Sequence, residues 1–233
     1  ASLSLAVALT VMVTSFRGSM MEWLDAVLPA PLYVRAAGGS SRVDAALLPT
    51  DAAQSISQLP AIERAQAMRS SQLVLSPERP ALSLLIRPLK GDQAMQLPWV
   101  DGPLTTTRSG IPVHISEAVA QLYDLKPGDE WPLLSKAFSL QTHDHKAQEA
   151  TFYIASIWRD YVRQFGAVAL DWQDYLALTG DAGNAAQISE VAIWPRPDGA
   201  LTPAGLQADL QAAIEQAITT PGQPAPALEF VSS

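Results

Sequence analysis

The stretch "SFRGSMMEWLDAVLPAPLYVR", Ser15 to Arg35, joins an uncharged N-terminal run to the rest of the chain. Before it stands "ASLSLAVALTVMVT", residues 1–14, which contains no charged side chain. A helix that spans a bilayer needs about 20 apolar residues. A signal peptide would begin with Lys or Arg, and none occurs before Arg17. We therefore expect residues 1–14 to be the outer part of a spanning helix that continues upstream. The alternative is a buried core helix of a soluble protein.

Beyond Thr14 the apolar residues recur at spacings of three and four, which places them on one face of an α-helix. These residues are Phe16, Met20, Trp23, Leu24, Val27 and Leu28. The opposite face is mostly polar and carries Arg17, Gly18, Glu22 and Asp25. We expect one helix that leaves the membrane and continues as a half-solvated stalk. Pro29 and Pro31 end it, and "PLYVR" begins the first strand.

Composition limits the classes of function. The 233 residues are 48% apolar and 16% charged, which suits one large domain or two small ones. The net charge of −8 argues against nucleic acid, since a basic face would be needed. The chain has no cysteine, so disulfides and thiolate chemistry are excluded.

Short strands and helices are predicted for the first half of the chain. "PTDAAQSISQLP" predicts a helix capped by Thr50 or Asp51. "AIERAQAMRSSQLVL" and "PALSLLIRPL" predict paired strands. "HISEAVAQLYDLKPGD" predicts a helix opened by Ser116.

The second half predicts further short elements. "EWPLL" predicts a strand, and "FSLQTHDHKAQEATFYIASI" predicts a hairpin with its tip near His143 to Glu149. "GAVAL" predicts a strand, and "DWQDYLALTG" a short helix with Asp171 at its N-cap and Gly180 past its end. "QISEVAIWP", "LTPAGLQADLQAAIEQAI" and "PALEFVSS" predict strand, helix and strand.

The first and last thirds of the chain therefore share a strand–helix–strand plan, with a more β-rich segment between them. This order indicates an α+β body with two lobes, of which the outer lobe is formed by both ends of the chain.

Three stretches resemble the large periplasmic domain of FtsX-like, or MacB-type, ABC transporter permeases. The first is the junction of stalk and strand, through Trp23, Leu24, Leu28, Pro29, Ala30, Leu32, Tyr33 and Val34. The second is "FYIASIWRDYVRQFGAVALDWQDYLALTGD", through Arg159, Asp160, Tyr161, Gly166, Asp171, Tyr175, Gly180 and Asp181. The third and weaker one is "LKPGDEWPLL". Pro31 stands where the family more usually has an acidic residue, so any role of that acid is lost.

The resemblance implies a fold and a division of the chain. After the membrane helix and stalk of residues 1–28, a Porter-like lobe would comprise residues 29–95 and 185–233. A β-rich Sabre-like lobe, residues 96–184, would be inserted into it. The resemblance also implies that "LEFVSS" leads back to the bilayer, so that both ends of the domain face the membrane.

It further implies the protein's setting: the inner membrane, with this domain in the periplasm. The expected partners are a cytoplasmic ABC ATPase subunit, a second permease copy in a homodimer and a periplasmic lipoprotein, adaptor or enzyme. The flanking helices would contact lipid, and no nucleic acid is expected. The stalk residues Phe16, Met20, Trp23, Leu24 and Val27 would couple ATP-driven motion to the domain.

Motifs for catalysis are absent from the sequence. It has no G-x-S-x-G elbow and no Gly-rich phosphate loop ending in Lys-Ser or Lys-Thr. "GGSS", residues 38–41, could bind an anion, but an ordinary loop explains it as well. We therefore expect no catalytic residue, no cofactor and no enzymatic activity in this chain.

Other chemistry-bearing residues have simpler readings. His143 and His145 would point to one side of a strand and could share a metal, with Glu149 as the nearest third ligand, but a solvated hairpin tip is the preferred interpretation and no metal is expected. His114 is expected to be a packed strand residue. Arg159, Asp160 and Tyr161 are expected to form a salt bridge and packing corner.

Two pairs of carboxylates are spaced for acid–base work, which burial would have to support by splitting their pKa values. They are Glu22 with Asp25 and Asp171 with Asp174. Asp171 is equally expected to cap a helix. Glu22 and Asp25 are expected to lie on the solvent-exposed face of the stalk.

Three functions remain open at this point. The first is the permease domain. The second is a soluble envelope binding module or inhibitor with a buried first helix. The third, an envelope hydrolase, is disfavoured because its motifs are missing.

Overall fold

The structure is a computed structural model. It describes residues 2–37, 47–49, 51–92, 94–104, 108–142, 150–179, 188–196, 208, 212–216, 218 and 227–232.

A single helix, α1 (Ser2–Val27), leads into the body of the protein, as predicted. Its side chains at positions 4–19 are all exposed, and burial begins at Trp23 and Val27. The segment Ser4–Val27 is long and apolar enough to cross a membrane, with a mean hydropathy of 1.3 and none of its apolar window buried. A core helix would instead have its apolar residues covered by the domain.

Eight short elements follow in the first part of the body. They are β1 (Leu32–Ala36), α2 (Ala52–Ser57), β2 (Ile62–Leu73), β3 (Leu82–Arg87), β4 (Trp99–Asp101), β5 (Ile111–Ser116), α3 (Glu117–Tyr123) and α4 (Pro132–Thr142). The second part contains β6 (Phe152–Trp158), β7 (Ala167–Asp171), α5 (Trp172–Thr179), β8 (Glu190–Pro195) and β9 (Leu228–Ser232). Residues 208, 212–216 and 218 are also helical, within the stretch predicted as the last helix.

The described strands form one mixed sheet in the order β4-β6-β5-β7-β3-β2-β8-β1-β9. The pairs β3–β7 and β5–β6 are parallel, and the other pairs are antiparallel. The α+β class predicted from the sequence is therefore confirmed, as is the antiparallel pairing of β2 with β3.

Strand β2 joins two groups of strands. Its residues 62–68 pair with β8, and its residues 69–73 pair with β3. We call β1, β8, β9 and residues 62–68 the chain-end group. We call residues 69–73, β3, β4, β5, β6 and β7 the inner group. Each group has its own apolar core, one around Val34, Ile56 and Ile193 and the other around Ile86, Ile115 and Phe138.

The predicted strand at "EWPLL" and the hairpin arm at "FSLQT" are wrong, because helix α4 covers Pro132–Thr142. Pro132 occupies the first helical position, where its missing N–H costs nothing. Leu134, Ala137 and Phe138 are buried at helical spacing. Of this segment only Glu130 makes a β-bridge, to Tyr153.

Candidate functional site

The buried end of helix α1 contacts the inner group through Trp23. The Trp23 side chain is 5% exposed, and its Nε1 donates a hydrogen bond to the carbonyl oxygen of Arg159 at 2.9 Å. The Tyr161 ring meets the indole edge-on, with centroids 5.5 Å apart. Arg159 and Tyr161 lie in the loop after β6, so this contact attaches the helix to the inner group.

The last residue of the helix is held by Arg87, at the end of β3. The Nη1 of Arg87 donates to the carbonyl oxygen of Val27 at 3.2 Å, in a buried setting. Burial and then the nearby charge of Arg163 lower the pKa of Arg87, while Tyr33, Glu190 and Asp160 oppose this shift. An arginine nevertheless stays protonated in proteins. A fixed positive charge is therefore directed at the C-terminus of the helix, where the helix dipole favours it.

The chain leaving the helix contacts the chain-end group. Trp194 Nε1, on β8, donates to the carbonyl oxygen of Pro29 at 3.2 Å. The guanidinium of Arg64, on β2, lies 3.5 Å from the centroid of the Trp194 ring, which is a cation–π distance. The Tyr33 hydroxyl accepts a hydrogen bond from the Ala30 N–H at 3.0 Å. Pro29 and Ala30 are thereby fixed on β1 and β8.

Three hydrogen bonds and one aromatic ring contact therefore join the end of helix α1 and Pro29 to both strand groups. We call this cluster the helix junction: Trp23, Val27 and Pro29 on the leading chain, with Arg87, Arg159 and Tyr161 on the inner group and Trp194 on the chain-end group. None of these seven residues is a nucleophile or a member of a carboxylate pair.

The loop that receives Trp23 is organised by Asp160. Its Oδ1 accepts hydrogen bonds from the N–H groups of Val162 (3.0 Å) and Arg163 (3.3 Å), and its Oδ2 pairs with Arg163 at 3.1 Å. Arg159 pairs with Glu117 on α3 at 3.1 Å. Arg159 and Asp160 therefore each form a salt bridge, with Glu117 and Arg163 respectively and not with each other, and the Tyr161 ring contacts Trp23.

Gly166 closes the same loop at a position that only glycine fits. Its φ is +84°, and an added Cβ would lie 2.5 Å from Ser116 Oγ and 2.7 Å from Val119 Cγ2. The sequence predicted that Ser116 begins α3, but its Oγ makes no capping hydrogen bond to that helix. It accepts a hydrogen bond from the Ala167 N–H at 2.9 Å instead.

The predicted stalk residues are not all in contact with the body. Trp23 and Val27 are buried and Met20 is half-buried, but Phe16 and Leu24 are exposed. Glu22 and Asp25 are also exposed, as expected.

The second carboxylate pair has structural partners. Asp171 caps α5, as predicted, because its Oδ1 accepts the Gln173 N–H at 3.0 Å and its Oδ2 accepts the Leu89 N–H at 2.8 Å. Asp174 forms a salt bridge with Lys90 at 2.6 Å. These bonds favour a structural role for both carboxylates.

His114 is packed in strand β5, as predicted. Its Nδ1 lies 2.7 Å from Ser156 Oγ on β6. Burial lowers the pKa of His114 to about 4, with Asp171 raising it and Lys90 lowering it further. The Ser156 side chain is fully buried. A nucleophile must be reached by substrate, so this pair is a core hydrogen bond.

The proposed metal pair, His143 and His145, and its third ligand Glu149 lie outside the described residues, as do Gly180, Asp181 and residues 38–41. Across the described part of the chain, no group of three or more His, Asp or Glu is placed to hold a metal.

Two grooves flank the helix junction. One has a volume of about 320 Å³ and runs along Ser19, Glu22 and Trp23 on the helix side, facing Trp99 and Tyr161. The other, of about 330 Å³, is lined by Asp25, Pro29, Arg64, Met95 and Trp194, among others. Residues at the end of helix α1 therefore line both grooves.

Sequence reasoning missed Arg87, Trp194 and Glu117. One signal for Arg87 was available: it ends the otherwise uncharged strand "LSLLIR". A charge in such a position is buried only with partners. Nothing local identifies Trp194 or Glu117, since their partners lie 165 and 42 residues away.

Two solved structures share this fold. The periplasmic region of MacB from Actinobacillus actinomycetemcomitans matches with a TM-score of 0.54 and 12% identity, over 92% of this chain and 94% of that one. The extracellular domain of the noncanonical ABC-type transporter YknZ from Gram-positive bacteria matches with a TM-score of 0.53 and 10% identity, over 86% of this chain and 99% of that one. The fold implied by the family resemblance is confirmed.

One curated relative supports the same assignment. An uncharacterized ABC transporter permease protein of Mycobacterium tuberculosis, Rv0987, is 26% identical over 209 residues, or 82% of this chain. The chain spans 23% of the length of that relative. No family model matches the sequence.

Proposed function

We propose that this chain is the extracytoplasmic domain of an ABC transporter permease, anchored in the inner membrane by helix α1 and facing the periplasm. Its role is to pass displacement of α1 to both groups of strands. The helix junction carries this proposal, because the end of α1 is hydrogen-bonded to the inner group at Arg159 and Arg87 while the next residues are bonded to the chain-end group at Trp194.

The mechanical argument rests on continuity. An unbroken helix moves as a rod, whereas a flexible linker would absorb a displacement. Helix α1 passes from its exposed apolar part to the buried Trp23 and Val27 without interruption. Of the predicted coupling residues, these two make the contacts, while Met20 is half-buried and Phe16 and Leu24 face outward.

The shared fold and the permease relative support this setting. On this proposal the partners are a cytoplasmic ABC ATPase subunit, a second permease copy and a periplasmic lipoprotein, adaptor or enzyme. ATP would be hydrolysed on the separate subunit, and this domain would perform no covalent chemistry. The two strand groups would move relative to each other about strand β2, which belongs to both of them.

The soluble binding module was expected to have a buried first helix. Helix α1 is exposed over positions 4–19 instead. Exposing that much apolar surface to water is costly, so the permease domain is the better explanation.

The test is coupling in the complete permease, reconstituted in bilayers with its ATPase. Met20→Pro breaks the helix just before the junction, and Met20→Ala is the matched control. Spin labels at Val100 on β4 and Val231 on β9 report motion at the two edges of the sheet. We expect Met20→Pro to abolish the ATP-dependent change in label distance while hydrolysis continues. An unchanged response in Met20→Pro would contradict the proposal.

A further inference from the structure

The loop between β6 and β7 presents three exposed apolar side chains beside helix α1. Tyr161 is 52% exposed, Val162 55% and Phe165 49%. Nearby, Trp99 and Val100 on edge strand β4 are 36% and 46% exposed, and Trp99 lines the same groove as Tyr161. Exposed apolar patches of this kind mark contact surfaces.

The loop is held rigidly rather than frayed. Asp160 fixes its first turn through hydrogen bonds to the Val162 and Arg163 N–H groups. Its last turn is closed by a hydrogen bond of 2.9 Å from the Gly166 N–H to the Arg163 carbonyl oxygen. The side chain of Asp160 is fully buried. The apolar residues are therefore displayed by a preformed scaffold, which lowers the entropic cost of binding.

The position of Tyr161 along helix α1 gives its height relative to a bilayer. The groove beside its ring is lined by Ser19, Glu22 and Trp23, at the level where the helix changes from uncharged to acidic. With a rise of 1.5 Å per residue, Trp23 lies roughly 9 Å beyond Arg17, the first charged residue. The polar interfacial layer of a bilayer is about 5–7 Å deep on each side. With Arg17 taken as the edge of the hydrocarbon core, the groove beside Tyr161, which begins at Ser19, would lie in the outer part of that layer and just beyond it.

The charges of the loop suit a lipid surface. Arg159 is paired with Glu117 and Arg163 with Asp160, so these four groups sum to zero in a chain with a net charge of −8. An acidic loop would be repelled by anionic lipids, whereas this loop is neutral and apolar, and the acidic Glu22 beside it belongs to helix α1. Tyrosine, with an apolar ring and a polar tip, is enriched at membrane interfaces.

We propose that the loop of residues 159–166 rests on the outer leaflet interface and inserts Tyr161, Val162 and Phe165 among the lipid headgroups. This proposal depends on the proposed function, in which α1 spans the membrane. The loop would then brace the inner group against the bilayer beside the point where the helix enters it.

The chain contains no cysteine, so single labels can be placed cleanly. A polarity-sensitive fluorophore is attached to Val162→Cys in the chain reconstituted in phosphatidylethanolamine–phosphatidylglycerol vesicles. Val74→Cys is the matched control, because this valine is 60% exposed and follows β2 at the end opposite Arg87. Met12→Cys, in the apolar part of α1, reports whether the helix is in the bilayer. Phe165→Cys provides a second label on the loop.

We expect a blue shift at Val162 and Phe165 with quenching by headgroup nitroxide lipids, quenching at Met12 by acyl-chain nitroxide lipids, and no change at Val74. If Met12 is quenched but both loop labels remain as in water, the loop inference is wrong and the membrane anchor stands. If Met12 is not quenched, the proposed function fails first. A loop blue shift that disappears on diluting the protein in lipid would assign the surface to a second copy and overturn the inference.

Discussion

Trp23 and Arg159 are 136 residues apart in the sequence, yet the indole nitrogen of one donates to the main-chain oxygen of the other at 2.9 Å. Trp23→Phe would keep an aromatic ring against Tyr161 but remove the donor. We expect a loss of about 1 kcal/mol in unfolding free energy from the missing hydrogen bond. Trp23→Ala should cost about 3–5 kcal/mol, because a cavity is added. Denaturant unfolding measures both.

Leu24→Ala is the control for this pair of variants, since Leu24 is the next residue of the helix but is 41% exposed. We expect its effect to be within about 0.5 kcal/mol. Equal losses for Leu24→Ala and Trp23→Ala would show that the junction contributes nothing beyond helix propensity.

Gly166→Ala should be much more disruptive than Gly91→Ala. Both glycines have positive φ, +84° and +81°, but a Cβ at Gly91 meets nothing within 4 Å while one at Gly166 meets Ser116 and Val119. The left-handed conformation alone costs about 1–2 kcal/mol. Overpacking adds about 1–3 kcal/mol at Gly166. Thermal unfolding of the two variants separates these contributions, and equal shifts would contradict the contacts described.

The stability of the fold should fall as the pH drops from about 6.5 to about 4. The pKa of His114 is lowered by burial to about 4, so the folded state keeps the ring neutral while the unfolded chain binds a proton. The stabilisation is complete above pH 6.5 and is lost as pH falls towards the folded pKa. The full effect is at most about 3 kcal/mol, by 1.36 kcal/mol per pKa unit.

His114→Gln removes this titration and leaves Ser156 a polar neighbour. Carboxylates also titrate in acid, so the quantity to compare is the difference in unfolding free energy between the parent and the variant at each pH. The difference in unfolding free energy should become smaller as the pH falls from about 6.5 to about 4, because only the parent loses stability through His114. Parallel curves would mean that His114 has the same pKa in the folded and unfolded states, which would contradict the prediction.

Arg87 and Glu190 should be energetically coupled. Burial raises the pKa of Glu190, and the charge of Arg87 lowers it. Arg87→Met would remove the charged donor to the Val27 carbonyl oxygen, a loss of about 1.5–3 kcal/mol, and would also remove the positive charge near Glu190. With Glu190→Gln added, the double variant should be less destabilised than the sum of the two single variants, by about 0.5–3 kcal/mol. Additivity would show that the two side chains act independently.

The local pattern was sufficient for most of the elements. The three-four spacing of Met20, Trp23 and Val27 predicted the stalk, and Asp171 was recognised as a cap because the preceding strand and following helix are both strongly patterned. The error at α4 has a physical origin. Over a few residues a run such as "WPLL" satisfies both helical and strand patterns, and the competing packing against β6 decides between them.

The helix junction could be found only in part. The role of Trp23 follows from its spacing and from the family resemblance, but its acceptor is a main-chain oxygen that any residue could supply. The same is true of Arg87 and Trp194, whose side chains donate hydrogen bonds to the main-chain carbonyl oxygens of Val27 and Pro29. Every residue has a main-chain carbonyl oxygen, so the residue type does not identify such an acceptor. These hydrogen bonds can therefore be found only in the folded structure.

The pairing of β1 with β9 sets an order of events during synthesis. Tyr33 is opposite Val231, so the chain-end group cannot close until residues 228–232 have left the ribosome. The inner group is built mostly from a contiguous stretch and can pack earlier, because local contacts cost less loop entropy. During translation, Arg159 is therefore ready for Trp23 before Trp194 has emerged to bind Pro29. The end of helix α1 would bind the inner group through Trp23 first, and the hydrogen bond from Trp194 to Pro29 would form afterwards.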